Sequence, residues 1–225
     1  MRKVCVVVTA RPSYSRIKSA LHAIDRHPDL QLQLVVSGSA LLERYGEVVN
    51  QIRDDGFTVD AEIYSVVDGQ NLLSSAKSTG LALIELASTV DALQPDVVVT
   101  IADRYETLAT AIAASYMNIP LAHVQGGEVT GSIDEKVRHA VTKLADLHFV
   151  ATEDAAERVE SMGEEHSTVF LTGCPSIDLA VDLPEPSFEY FDKYQGVGPV
   201  QDISAGYIVV LQHPVTTQYE EARDQ

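Results

Sequence analysis

Three short apolar runs in this chain end in residues that can do chemistry. The first, Val4–Thr9, leads into Ala10-Arg11-Pro12-Ser13-Tyr14-Ser15-Arg16. Pro12 suits the first turn of a helix, so Arg11 stands beside a helix start. Free N–H groups, the positive end of the dipole and a guanidinium can together hold a phosphate. The stretch is neither GxGxxG nor a P-loop, and a solvated arginine on a turn is the plainer reading of Arg11 taken alone. The second run, Val97–Ile101, is followed by Ala102-Asp103-Arg104. A carboxylate just past a fully apolar strand suits proton transfer at a ligand site. Asp103, three residues ahead of Glu106, suits a helix N-cap equally well. The third run ends in the densest stretch, His123-Val124-Gln125-Gly126-Gly127-Glu128, continuing to Asp134-Glu135-Lys136-Val137-Arg138-His139. Paired glycines allow a tight turn or a close approach to a ligand, and Ser132 with Glu135 makes a capping box that starts a helix. On that helix Asp134 and Arg138 are four residues apart and share a face. They form either one surface ion pair or a fork, held by Asp134, that faces a crevice. His139 reads most simply as a satisfied histidine on a half-buried face. Cys174, beside a helix start but without an evident base, reads as structural. His213 follows a last apolar strand and from position alone has no assigned role.

The elements that must position these residues alternate along the chain. Strands are expected at Val4–Thr9, Leu32–Ser37, Ala61–Tyr64, Val97–Ile101, Pro120–Val124, Leu147–Val150 and Thr168–Thr172. Between them, apolar residues recur at helical spacing: Ile17, Leu21 and Ile24; Val48, Val49 and Ile52, ended by Gly56; and Leu73 to Val90, stopped near Pro95. Further helices are expected around Leu108–Ala113, Ile133–Ala145 and Asp154–Met162. Such alternation implies βαβ units, hence an α/β fold with a Rossmann-like parallel sheet and helices on both faces. Folds of this kind bind ligands at the carboxyl ends of their strands. A first lobe is expected over residues 1–182 and an acidic Pro/Gly connector over 183–206. A strand at Tyr207–Leu211 then opens a second unit over 207–225.

Composition narrows the partners. At about 150 residues per domain, 225 residues make about one and a half domains. The apolar share of 45% allows a sizeable core. The formal charge of −17 argues against nucleic acid and anionic membranes, which need a broad basic surface. That charge is uneven: residues 1–150 carry 13 basic and 18 acidic side chains, and residues 151–225 carry 3 and 15. An anionic ligand would therefore rely on a few arginines in the first two thirds. Two distant cysteines, Cys5 and Cys174, give neither a disulfide framework nor a metal knuckle, and the histidines have no metal-ligand spacing. No apolar run reaches membrane-spanning length. A soluble protein of the reducing cytoplasm, without metal, is expected.

The segments TARPSYSRIK, ADRYETLATAIAASYMNIPLAHVQGGEVTGSIDEKVRHAVTKLADLHF, GCPSID and LQHPVTT together resemble the hydrolysing UDP-N-acetylglucosamine 2-epimerases of sialic-acid-type sugar biosynthesis. The likeness runs in order from residue 4 to 217, and its most specific part is the Gly-Gly-Glu to Arg-His-Ala stretch. It implies the N-terminal lobe of a two-domain, glycosyltransferase-B-type fold with the active site in the cleft between lobes. It also implies release of the nucleotide with inversion at C2, giving N-acetylmannosamine by elimination and hydration. Asp103 and Asp134 stand where the family has acid–base carboxylates, and Arg11, Arg16 and Arg138 where it has cations lining the nucleotide-sugar site. Glu128 closes the Gly-Gly-Glu signature, His139 belongs to the Arg-His pair, and His213 matches a cleft histidine from the second half. No cofactor is implied, since the reaction transfers no hydride. Dimerisation is common in the family.

The departures bear on substrate. Gln125 stands where many relatives have Glu, and an amide exchanges no proton at neutral pH. Ala40 replaces a frequent histidine, and Ile101-Ala102 a frequent His-Gly. These changes admit GDP-N-acetylglucosamine or a 2,4-diacetamido sugar nucleotide as substrate, or a nucleotide-sugar binding module without turnover. A glycosyltransferase half shares the architecture but not the Gly-Gly-Glu and Arg-His pattern. Most nucleotide contacts in the family come from the second domain, so these residues alone are expected to fold without turning over.

Overall fold

In the first strand, β1 (Arg2–Val8), Val4, Val6 and Val8 point to one face and Cys5 and Val7 to the other, all buried. A strand apolar on both sides must be covered on both sides, and β1 lies inside a seven-stranded, wholly parallel sheet. The computed structural model describes residues 1–69 and 71–181, with Gly206, Ile208 and Val210 as isolated positions. Contacts divide the chain into Met1–Leu179, which holds the sheet, and Ala180–Gln225. Apart from those three positions, the expected connector, the strand at Tyr207–Leu211 and His213 lie outside the described residues.

After β1 come α1 (Arg11–Ser15), α2 (Lys18–Arg26), β2 (Leu30–Ser37), α3 (Val48–Asp54), β3 (Ala61–Ile63) and the long α4 (Leu72–Leu93). Then follow β4 (Val97–Ile101), α5 (Tyr105–Tyr116), β5 (Leu121–Val124), α6 (Ile133–Leu144), β6 (Leu147–Val150), α7 (Glu153–Ser161), β7 (Val169–Leu171) and α8 (Pro175–Val181). The strand order is β3-β2-β1-β4-β5-β6-β7. Chain order reverses at β1 and β4, where Val4 pairs with both Leu32 and Val97. That reversal opens the crevice in which doubly wound sheets bind ligands.

Each face of the sheet has its own core. Tyr14, Ile17 and Leu21 pack with Val48, Val49 and Ile52 against Val4, Val6 and Val8. On the other face Ala82, Leu86 and Val90 of α4, Ala109 and Ala113 of α5 and Val141 of α6 cover Cys5, Val7 and Val98. Burial, and then Asp60, push the Cys5 thiol up to about 12, which leaves it unreactive.

The helix limits follow local chemistry. Asn71 and Ser74 exchange side-chain and backbone bonds as a capping box for α4, and Thr152 accepts from the Ala155 N–H at the start of α7. α4 stops ahead of Pro95. At the amino ends of the strands one device recurs. Asp60, Asp96 and Asp146, each directly ahead of a strand, use their own N–H and their carboxylate to bond the carbonyl and N–H of Leu34, Lys3 and Leu121, at 2.7–2.9 Å. Among the described residues no helix is long and apolar enough to cross a membrane.

Candidate functional site

The carboxyl ends of β1, β4 and β5 converge where the strand order reverses. After β1 the chain turns at Thr9-Ala10 into α1. Arg11 is exposed at the start of that helix and makes no ion pair among the described residues. α1 is only five residues long, and Ala10 gives it no side-chain cap. Arg16 ends α1 half-buried. Thr9 O holds the loop after β2 by accepting from Ala40 N and Ser39 Oγ, both at 3.2 Å.

After β4 the backbone takes a left-handed turn at Ala102 (φ +65°), a conformation that costs a non-glycine residue about 1 kcal/mol or more. Two bonds hold it: Ala102 N–H donates to Val124 O at 2.9 Å, and Ala102 O lies 2.8 Å from Nε2 of the fully buried His123. The turn delivers Asp103 to Arg138 of α6, and the two form an ion pair with both side chains largely buried. Asp103 is not the N-cap. Arg104 occupies that position without capping the helix by its side chain, and Glu106 pairs with Arg104 instead of closing a capping box.

After β5 comes a second left-handed residue, Gln125 (φ +62°), whose amide donates to Cys174 Sγ at 2.9 Å. The loop from Gln125 to Gly131 is braced from several directions. Arg138 Nη1 donates to Glu128 O at 2.8 Å and reaches Thr130 Oγ1 at 3.4 Å. Arg158 of α7 donates to Gly127 O. Glu135 accepts from the Thr130 and Gly131 N–H groups at 3.0 and 2.8 Å. The two glycines have separate reasons. A Cβ at Gly126 would come within 2.9 Å of both His123 Nδ1 and Thr142 Oγ1, and Gly127 takes φ +79° against the Ala155 backbone.

Two expected contacts differ from those observed. Arg138 is gripped by Asp103, not by Asp134; a bond across the sheet edge displaces the pairing that helical spacing suggests. Ser132 does cap α6, accepting from Asp134 N–H at 3.2 Å, but Glu135 turns to the preceding loop instead of the Ser132 N–H. Asp134 remains half-buried, close enough to Arg104 for its charge to help hold that guanidinium's pKa up. Burial opposes the Arg104 charge, and Glu106 is the larger of the effects that outweigh it. Burial, and then the Arg16 charge nearby, push Arg138 down to about 10. It therefore stays a cation at neutral pH. Glu128 is half-buried, and among the described residues only its backbone carbonyl is engaged by a side chain. His139 is half-buried with a buried Nδ1 that has no hydrogen-bond partner among the described residues. His213 lies outside the described residues.

Sequence reasoning missed Arg104 as a half-exposed cation at the crevice. Its anchor Glu106 is fully buried against Gly38 and bonds it at 3.1 and 3.3 Å. An acid in a first helical turn looks like ordinary dipole compensation, which hides its burial. His123, Thr142 and Arg158 were missed as well. The strand ends and the helices that follow them thus carry four arginines, Arg11, Arg16, Arg104 and Arg138, beside Asp103, Asp134 and Glu128.

Comparison with known proteins follows the same lines. The family model described as UDP-N-acetylglucosamine 2-epimerase matches residues 22–225. The chain is 34% identical, over its full length, to a protein of Legionella pneumophila named UDP-N,N'-diacetylbacillosamine 2-epimerase (hydrolyzing), and covers 59% of that relative. It is 35% identical over 76% of its length to a Campylobacter jejuni protein named GDP/UDP-N,N'-diacetylbacillosamine 2-epimerase (hydrolyzing), covering 45% of it. The chain thus spans about half the length of these relatives. In fold it matches the Neisseria meningitidis UDP-GlcNAc 2-epimerase solved with UDP-GlcNAc bound, with a TM-score of 0.71 at 22% identity, over 80% of this chain and 48% of that one.

Proposed function

The chain belongs to the UDP-N-acetylglucosamine 2-epimerase family, and from that premise we propose that it serves a hydrolysing 2-epimerase acting on a UDP-linked 2-acetamido sugar. UDP-N-acetylglucosamine is the first substrate to consider. A carboxylate removes the C2 proton, the C1–O bond breaks with the electron pair leaving on the nucleoside diphosphate, and a C1=C2 double bond remains. Water then adds, its hydroxyl to C1, while a proton returns to C2 from the opposite face. The chemistry needs two proton-transferring groups and cations on the departing diphosphate.

The observation that carries this reading is the Asp103–Arg138 ion pair at the strand reversal, which joins the end of β4 to α6 within reach of Arg16's charge. In our assignment Asp103 and Asp134 exchange protons with the sugar, and the half-buried Glu128 supports them. Arg11, Arg16, Arg104 and Arg138 take the diphosphate. Gln125, whose amide cannot titrate, binds the sugar, and His139 lines the same wall. His213 enters on the resemblance alone. A second reading, a 2,4-diacetamido sugar as substrate, is favoured by the names of the 34% and 35% identical relatives and by Gln125.

Nucleotide release is to be measured on the chain, and on the gene product containing it, with UDP-N-acetylglucosamine, its GDP analogue and a UDP-2,4-diacetamido sugar. Release from one of these by the gene product, reduced at least about 100-fold by Asp103→Asn, is the expected outcome, with none from the chain alone. A wild-type rate in the variant removes Asp103 from proton transfer, and no release by the gene product from any of the three overturns the activity.

A further inference from the structure

His123 is a fully buried polar side chain that the proposed chemistry leaves unused. It is fully buried on β5, and both ring nitrogens have partners: Nε2 lies 2.8 Å from Ala102 O, and Nδ1 lies 3.1 Å from Thr142 Oγ1. A carbonyl can only accept, so Nε2 carries the proton, and Nδ1 then accepts from the threonine hydroxyl. Thr142 sits on α6 four residues after Arg138, on the same face of the helix. One helix face therefore reaches Asp103 twice, through Arg138 to its carboxylate and through Thr142, His123 and Ala102 O to its backbone. Gly126 leaves room for the His123–Thr142 bond, since a Cβ there would come within 2.9 Å of both atoms. Burial, the largest influence, pushes the imidazole down to about 4, so the ring stays neutral near pH 7.

We propose that His123 is a positioning residue. By holding the carbonyl of the left-handed Ala102 it fixes the direction in which Asp103 leaves the strand, and so sets the carboxylate against the sugar's C2. The proposal rests on the acid–base reading of Asp103, but its structural half can be tested without turnover.

Two substitutions separate the bond from the bulk. The amide nitrogen of glutamine reaches about as far as Nε2, whereas that of asparagine stops near Nδ1. His123→Gln therefore keeps a donor for Ala102 O, and His123→Asn does not. Nitrogen-15 NMR on the wild-type chain should show the proton on Nε2. Backbone carbon shifts should show Ala102 left-handed in wild type and His123→Gln, and displaced in His123→Asn. In the nucleotide-release assay, His123→Asn should lower kcat at least about tenfold with KM within about twofold, and His123→Gln should restore most of the loss. A proton on Nδ1, or equal Ala102 shifts in the two variants, overturns the proposal. The first result needs no variant, so it stands even if a substitution prevents folding. A displaced Ala102 with unchanged kcat would instead remove Asp103 from catalysis and leave the backbone role intact.

Discussion

Arg138 has almost no solvent into which to spread its charge, and protein groups take the place of water. Asp103 lies on one side of the guanidinium, and the Glu128 carbonyl and Thr130 hydroxyl on another. Removing one partner strands the other, and a buried charge without its partner costs more than the pair contributes. Gly126, against the His123–Thr142 bond, is equally constrained. Gly126→Ala should push apart His123 and Thr142, destabilising the lobe by about 1–3 kcal/mol. A urea midpoint equal to wild type would show that the loop absorbs the methyl group without cost. At this scale the sequence revealed the residue types and the strand ends that carry them, but not the partners. Spacing along a helix pairs Asp134 with Arg138. Asp103 wins because the turn at Ala102 brings it to the same guanidinium in a drier place, and nothing in the local sequence encodes that meeting. Glu106 was hidden for a similar reason.

At the scale of elements, short apolar runs were a good guide to the strands within the sheet. Val97–Ile101 and Leu147–Val150 have the limits expected, and the helices are displaced by only a few residues. The tight turns at Gly38–Leu41 and Glu43–Tyr45 escaped because segments of three or four residues show no period, whereas the helix start read at Pro12 is that of the five-residue α1. The aspartate clamps at the amino ends of the strands could have been found, since an Asp directly precedes the apolar runs at Ala61, Val97 and Leu147. Each clamp joins a strand to its neighbour at the end of the sheet opposite the site. Asp146→Ala should cost about 1–3 kcal/mol, because the Leu121 N–H it satisfies is fully buried. Asp96→Ala should cost less, since Lys3 is partly solvated. Urea unfolding of the two variants tests the order, and an equal or reversed effect would show that burial of the N–H does not set it.

Across the whole molecule, acid acts through buried imidazoles. The folded-state pKa of His123, about 4, lies below its ordinary 6.5, so the unfolded chain binds the extra proton. The associated stability, on the order of 3 kcal/mol, is complete above pH 6.5 and is lost as pH falls toward 4. His148, also held down chiefly by burial, acts in the same direction. Acidification meanwhile relieves the self-repulsion of a −17 chain, which opposes the loss. Comparing wild type with His123→Gln at pH 7 and pH 4.5 cancels that common part, and the variant should lose less stability; equal losses would mean that His123 does not titrate in the unfolding reaction. The brace on Gly127 has a consequence in time. The loop follows β5, yet Arg158 and Ala155, which lock it, lie beyond β6. As a polypeptide leaves the ribosome, β5 and α6 are available before the residues that close their loop. A chain halted between β6 and α7 has the first six strands, Asp103 and Asp134 but lacks the brace on the loop after β5, so this wall of the site is among the last parts of the lobe to take its shape.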